Sequence, residues 1–233
     1  MSQTQTKTAY FVTCLLLALL CGFSLSPRLG EPSRELLLKE NGIIETATVL
    51  AYLLWLGLMA WKGGLDYLKK YHYAVLLVIL FMLRELDFDK KFTTMGVLKS
   101  KFYVSPVVPV MEKAIGAMVI TLLIYAAVQS IRRHARGLVH GLRRDCVVSL
   151  GIFLVGVFLV VSKSLDGIGR KLNDIGIGIS AQTSDVSAVI EEVLEFGIPL
   201  ILILAAAAFF KNESRAEEKE VYRQGAKVAE EKH

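Results

Sequence analysis

Histidine and cysteine are scarce in this sequence, and neither occurs at a spacing typical of a metal site. The chain has four histidines and three cysteines among 233 residues. Cys14 and Cys21 lie in one apolar stretch, and Cys146 is far from both, so neither a zinc ligand set nor a disulfide framework is predicted. The sequence also lacks a Gly-x-Ser-x-Gly elbow, a phosphate-binding loop and a dinucleotide-binding glycine motif. These absences leave common hydrolase and nucleotide-binding classes without a sequence signature.

Apolar residues, in contrast, make up 54% of the chain, and the mean hydropathy is +0.50. That is more apolar side chain than one soluble domain of this length needs for its core. A helix of about 20 apolar residues crosses a hydrocarbon layer of about 30 Å. The sequence therefore predicts an all-α, polytopic membrane helix bundle with about six transmembrane helices. The six apolar stretches are residues 8–25, 43–61, 71–86, 110–128, 147–161 and 193–210.

The predicted transmembrane helix-bundle domain covers residues 1–210, and residues 211–233 are predicted to form a charged cytoplasmic tail. The first apolar stretch resembles a secretory signal, because Lys7 precedes it and Pro27 follows it. Its length is that of a full span, however, and no small-x-small cleavage site precedes Pro27. We therefore interpret it as the first transmembrane helix. The third stretch is the weakest, because its uncharged part ends at Leu83.

Lysine and arginine indicate how the helices are oriented in the membrane. The segment between residues 129 and 145 holds five arginines and one acid, which is typical of a cytoplasmic loop. With six helices, both termini are then cytoplasmic, and the predicted location is a bacterial inner (plasma) membrane. The net charge of +5 lies mostly on the cytoplasmic surface, where anionic lipid can bind it. Nucleic acid is not an expected partner, because the arginine segment lacks interleaved aromatic residues.

Acidic residues gather at the helix ends that this topology places outside. A carboxylate near hydrocarbon is costly and usually has a partner, so such residues often mark a site. We expect an outward-facing, carboxylate-rich cavity in which Glu45 and Glu195 supply negative charge. Arg84 and Lys163 would balance this charge or hold phosphate. For Arg84 there is an alternative without a function, in which its long side chain only carries its charge to the membrane interface. The predicted ligand-binding residues are Glu40, Glu45, Arg84, Glu85, Asp87, Lys163, Asp166, Glu191 and Glu195.

The last apolar stretch carries the clearest indication of a site. Glu191 and Glu195 are four residues apart and share a helix face. Pro199 has no amide to bond the Glu195 carbonyl, and Gly197 loosens the same turn, so a bend is expected there. Such a bend would turn a free carbonyl oxygen toward neighbouring helices. The alternative is that the acids form a solvated first turn that the helix dipole favours, and it applies to Glu45 as well.

Two resemblances bear on this interpretation. The segment Glu-Asn-Gly-Ile-Ile-Glu at residues 40–45, followed by Arg-Glu-Leu-Asp-Phe at 84–88, resembles a pattern in uncharacterised bacterial multi-pass inner-membrane proteins. This resemblance implies a location rather than an activity. A weaker likeness is to seven-helix membrane hydrolases that include the alkaline ceramidases, which also carry acids near a helix start. Those enzymes use a histidine triad, whereas this sequence has no His-x-x-x-His pair within an apolar stretch.

Three functions stay open from the sequence. The leading hypothesis is a protein that binds or transports a cationic or amphiphilic ligand, or a lipid headgroup, in the outward-facing cavity. The second is a membrane-embedded lipid hydrolase or transferase, with a carboxylate as general base and a divalent metal such as Ca²⁺, Mg²⁺ or Mn²⁺ on oxygen ligands. The third is a structural subunit of a membrane complex. The sequence specifies neither a cofactor nor an oligomeric state.

Overall fold

The computed structural model describes residues 2–26 and 42–230, of which residues 89, 90, 100 and 215–230 are described as backbone only. These residues form helices and no strand, so the predicted all-α class is confirmed. In chain order the helices are α1 (Gln3–Ser24), α2 (Ile43–Lys70), α3 (His72–Glu85), α4 (Phe88–Phe92), α5 (Ser100–Val104), α6 (Val110–Arg143), α7 (Val147–Leu165), α8 (Ile168–Asp174) and α9 (Ala181–Glu230).

The predicted apolar stretches coincide with the long helices and with α3. Among the described residues, five helices are long and apolar enough to cross a membrane: α1, α2, α6, α7 and the part of α9 from Ala181–Ser214. α3 has 14 residues, which is about 21 Å at 1.5 Å per residue and shorter than a hydrocarbon layer of about 30 Å. The helix of the third stretch is thus as short as its sequence suggests.

Local sequence sets where these helices begin and end. The Ser2 hydroxyl accepts a hydrogen bond from the Gln5 backbone amide at 3.1 Å, and the Gln5 side-chain oxygen accepts one from the Ser2 backbone amide at 2.6 Å. This reciprocal pair is a capping box that starts α1. In α2 the helical backbone breaks at Gly64, where φ is 65°, a conformation that glycine adopts without the steric cost of a Cβ. The break separates the apolar part of α2 from the short turn that leads into α3.

α9 is the helix around which the bundle is built, and it packs against α1, α2 and α7. It is antiparallel to α1 and α7 and parallel to α2, as the contacts along each helix show. The contacts that set these directions are Tyr10 with Gly151, Gly151 with Ala205, Leu17 with Gly197, Lys163 with Glu195, Gly63 with Phe210 and Tyr67 with Glu213. α3 packs on α2 and α6, and α6 packs on α7.

The two ends of the bundle differ in charge. At one end, here called the basic end, Lys7 pairs with Asp145, and the Tyr67 hydroxyl donates to Glu213. The exposed arginines of residues 131–144 lie at this end. The opposite end, here called the acidic end, holds the last turns of α3 and α7 and the first turns of the apolar part of α9. The start of α1 and the Glu213 region of α9 therefore lie at the same end of the bundle.

The outer surface of the helices is apolar over much of its area. Large apolar side chains that are more than half exposed occur on helices α1, α2, α6 and α7. A continuous apolar surface of this kind is unfavourable in water and suits contact with lipid. Examples are Phe11, Leu19, Trp61, Ile124 and Val160.

Glycine lets α1, α7 and α9 approach closely. A Cβ atom placed on Gly197 would lie 2.6 Å from Phe158 Cε2 and 2.7 Å from Leu17 Cδ1. Distances this short are not found between packed carbon atoms, so any larger residue would force the helices or side chains apart. Close packing at small residues is a common way for membrane helices to associate.

Candidate functional site

Glu195 is the buried carboxylate at the centre of the acidic end. Its side chain is 7% exposed, although it lies within the apolar part of α9. It accepts a hydrogen bond from Arg84 Nη1 of α3 at 3.0 Å and another from Lys163 Nζ of α7. Three helices are thus joined at one oxygen atom, Glu195 Oε1. A buried carboxylate with two cationic donors satisfies the requirement that buried charge be paired.

Glu85 is the second buried carboxylate of this cluster, and its side chain is also 7% exposed. Arg84 Nη1 lies 3.4 Å from Glu85 Oε1, so one guanidinium nitrogen contacts both buried carboxylates. The Arg84 side chain is 34% exposed. The planar guanidinium carries several donors in a fixed arrangement, so it can contact both acids at once. Because Arg84 is partly exposed, it lies at the edge of the site.

Lys163 lies at the accessible side of the cluster, and its side chain is 36% exposed. Besides Glu195, it is 3.8 Å from Asp166 Oδ2, one turn further along the chain. The backbone carbonyl oxygen of Lys163 accepts a hydrogen bond from the Lys171 ammonium at 3.3 Å. Lys163 therefore has an acid on its inner side and a second acid on its outer side.

Further acids surround this pair of carboxylates. Glu191 and Glu192 of α9 are half-buried, and both interact electrostatically with Glu195 and Arg84. Glu45 at the start of α2 is half-buried as well and lies near Glu192. The structure thus brings together most of the acids that the sequence singled out, from α2, α3, α7 and α9.

Asp87 lies two residues beyond Glu85, at the end of α3. Asp87 follows the end of α3 in left-handed backbone, with φ of 48°, a conformation that aspartate tolerates better than most residues. Arg84 pairs with Glu85 and Glu195, and Lys163 pairs with Glu195 and Asp166. Glu40 lies outside the described residues.

Tyr52 belongs to the cluster but was not predicted from the sequence, and Thr48 lies one turn before it on the same helix face. Tyr52 is 2% exposed and interacts electrostatically with Glu85, Glu195 and Arg84. Thr48 is buried, and its hydroxyl donates to the Ile44 carbonyl at 2.9 Å. Both share a helix face with Glu45, which precedes Thr48 by three residues and Tyr52 by seven. That spacing of polar residues within an apolar stretch is the signal that could have identified them.

The bend expected at Pro199 stays a prediction, because a proline can bend a helix without interrupting it. α9 continues as helix through Pro199, whose side chain is fully buried. The proline still has no amide, so the Glu195 carbonyl lacks its usual helical donor.

Two of the surface depressions on the described residues lie outside the ion-pair cluster. One is an apolar groove of about 330 Å³ between α1 and α9, which includes Leu17, Phe196 and Leu200. The other lies at the basic end on α6. Within residues 2–26 and 42–230, no three His, Cys, Asp or Glu side chains are grouped so as to hold a metal ion. His72 and His134 lie at the basic end, away from Glu195.

These features define a class of protein: an all-α bundle with membrane-length apolar helices and a buried ion-pair cluster at one end. Comparisons with protein-family models, curated proteins and solved structures found no match to this chain. The resemblance to bacterial inner-membrane proteins therefore stays a prediction from the sequence.

Proposed function

We propose that this protein binds a cationic or amphiphilic ligand at its acidic end, with that end on the outer side of a bacterial inner membrane and both termini in the cytoplasm. The observation that carries the proposal is the excess of acid around Glu195. Among the described side chains, five carboxylates interact there, and two bases act on them. The acids are Glu85, Asp166, Glu191, Glu192 and Glu195, and the bases are Arg84 and Lys163.

An excess of half-buried carboxylate attracts cations and raises their local concentration. Lys163 is the residue that an incoming cation would replace, because it is partly exposed and has a second acid, Asp166, to which it can turn. Exchange of one cation for another keeps two cationic partners on the buried Glu195, so that Arg84 does not have to balance both buried carboxylates alone. We therefore expect a ligand cation to replace the Lys163 ammonium directly, without a step in which Lys163 leaves and nothing takes its place.

The apolar groove between α1 and α9 supports an amphiphilic ligand. Glu192 lies one helical turn before Phe196 on the same face of α9, and Phe196 is part of the groove. A cationic headgroup near Glu192 would place its apolar chain along Leu200 and the α1 side of this groove. Charge and apolar surface are thus arranged in the order that a cationic amphiphile requires.

A structural role is the second candidate, and a specific observation favours it. Glu195 is already paired with two cations, and the interior toward the basic end is filled by Tyr52, Trp55 and Ile198. In this form the cluster joins α3, α7 and α9 by ion pairs. The two roles differ in how Lys163 variants respond to added cations.

The test measures thermal unfolding of the purified protein in uncharged detergent, with tetraphenylphosphonium, spermidine or Mg²⁺ as probes. At least one probe is expected to stabilise the protein, by about 2.7 kcal/mol at 100 times its dissociation constant. Lys163→Gln removes the competing cation, so the probe should bind about tenfold more tightly. Glu192→Gln should weaken binding about tenfold, which corresponds to about 1.4 kcal/mol.

Asp185→Asn is the matched control, because Asp185 is an exposed acid on α9 that lies before the cluster. Its probe affinity is expected to equal that of the unaltered protein. If Lys163→Gln only destabilises and no probe restores the loss, the cluster is structural. Stabilisation that is identical in all variants would contradict binding at this site.

A further inference from the structure

The basic end carries a feature that the ligand-binding proposal does not use. α6 has 34 residues, but its apolar part ends near residue 128. The helix then continues through residues 129–143, which include four of the five arginines of the predicted cytoplasmic loop, and Arg144 follows as its C-cap. We call residues 129–143 the extension. Successive residues on a helix are turned by about 100°, and the residues of the extension divide into three faces of different chemistry.

One face of the extension packs on the bundle. The His134 ring stacks on Tyr71, with centroids 6.1 Å apart, and it shares a hydrogen bond of 2.5 Å with the Tyr73 hydroxyl. About two turns further, Gly141 lies against Ser149 of α7. These contacts fix the rotation of the extension about its own axis and thereby decide where its other residues point.

A second face is basic and exposed. Arg132, Arg136, His140 and Arg143 recur at spacings of three and four residues, so they lie in one row. The acid nearest to this segment, Asp145, is paired with Lys7 of α1. The row therefore presents positive charge without a neighbouring acid to neutralise it among the described side chains.

A third face is apolar and also exposed. Ile131 is 64% exposed and Val139 is 52% exposed, while Leu138 and Leu142 on the same side are half-buried. A helix with basic and apolar faces side by side is typical of a segment that lies in the membrane interface. Because the extension continues directly from a membrane-length helix, it begins at the depth where such an interface lies.

We propose that this extension is a binding site for anionic phospholipid. The phosphate would contact Arg136 and Arg143, and the glycerol and acyl region would cover Val139. Arg132, about 6 Å along the helix from Arg136, would add to the attraction of the anionic headgroup. A shallow depression of about 410 Å³ on this helix combines both kinds of surface, because its lining residues are Ala135, Arg136, Val139, His140 and Arg143. The site is independent of Glu195 and lies at the opposite end of the bundle.

The test measures binding of short-chain phosphatidylglycerol to the detergent-purified protein by native mass spectrometry. An arginine near a membrane surface contributes about 1 kcal/mol to binding of anionic lipid, or about fivefold. The triple variant R132Q/R136Q/R143Q should therefore bind on the order of 100-fold more weakly, with an unchanged unfolding midpoint in the absence of lipid. Phosphatidylcholine should bind weakly to both proteins.

Two control variants show whether the lipid binds the arginine row of the extension or responds only to the net charge of the protein. The triple variant K99Q/K101Q/R170Q removes the same number of exposed charges outside the extension and should keep the affinity for phosphatidylglycerol. R132K/R136K/R143K keeps the charge and should lose at most a few-fold. Equal weakening by both glutamine variants would overturn the proposal, because net charge alone would then explain binding. Displacement of the lipid by millimolar inorganic phosphate would also overturn it, in favour of a free-anion site.

Discussion

Replacing Arg84 with methionine is expected to lower the free energy of unfolding by about 3–5 kcal/mol. Glu85 and Glu195 are both 7% exposed, and Arg84 Nη1 contacts both. Methionine keeps the apolar stem of the side chain but removes the charge, so two buried carboxylates would share Lys163 alone. A buried ion pair that loses one partner costs far more than the pair itself contributes, because the remaining charge has no solvent.

The measurement is unfolding in mixed micelles, followed by the fluorescence of the two tryptophans. Arg84→Lys is the charge-conserving control and should cost about 1–2 kcal/mol, since an ammonium cannot reproduce the guanidinium geometry. Arg170→Met removes an exposed arginine and should change stability by less than about 0.5 kcal/mol. A loss below about 1 kcal/mol for Arg84→Met would mean that the two carboxylates are not buried together.

Replacing Gly197 with leucine is expected to destabilise the protein by about 3 kcal/mol or more. Already the first added carbon would lie 2.6 Å from Phe158 and 2.7 Å from Leu17, so α1 and α7 could not keep their present contacts with α9. Thermal unfolding in detergent measures the loss. Gly197→Ala should cost less, because the atoms it meets are at the ends of side chains that can turn.

Gly156 provides the matched control for this substitution. It lies on α7 and is exposed, and a Cβ atom added to it would have no neighbouring atom within 4 Å. Gly156→Leu should therefore be neutral or stabilising by up to about 1 kcal/mol, because leucine favours helix more than glycine does. Equal destabilisation by the two leucine variants would show that the close packing at Gly197 does not hold the three helices together.

The positions of the helices could be predicted because a helix in a membrane must be long and apolar. Their ends could not. α6 continues 15 residues past the apolar stretch that ended at residue 128, to Arg143. Likewise, α2 continues past residue 61 to Lys70. Hydropathy reports only the part of a helix in hydrocarbon, whereas backbone hydrogen bonds continue into polar sequence.

The residues of the candidate site were predictable, but their contacts were not. A carboxylate beside an apolar stretch is conspicuous, which is why Glu85 and Glu195 could be selected from the sequence. The contact of Glu195 with Arg84 depends on α3 and α9 meeting at the same depth, across 111 residues of chain. The order of helices around a bundle follows from side-chain packing, and hydropathy contains no information about it.

Pro199 shows where a local rule meets tertiary packing. The missing amide predicts a weakened turn, yet α9 stays helical there. The proline side chain is fully buried, and a proline can bend a helix without ending it. The local rule therefore identifies where a helical hydrogen bond is missing, and the bend itself stays a prediction.

The most direct test of the buried cluster is a double-mutant cycle between Arg84 and Glu195. The unfolding free energies of Arg84→Met, Glu195→Leu and the double variant are compared with that of the unaltered protein. Because the two side chains share a hydrogen bond of 3.0 Å, the double variant should lose less stability than the two single losses together, by about 2 kcal/mol. Additive losses, with a coupling below about 0.5 kcal/mol, would show that α3 and α9 are not joined by this ion pair.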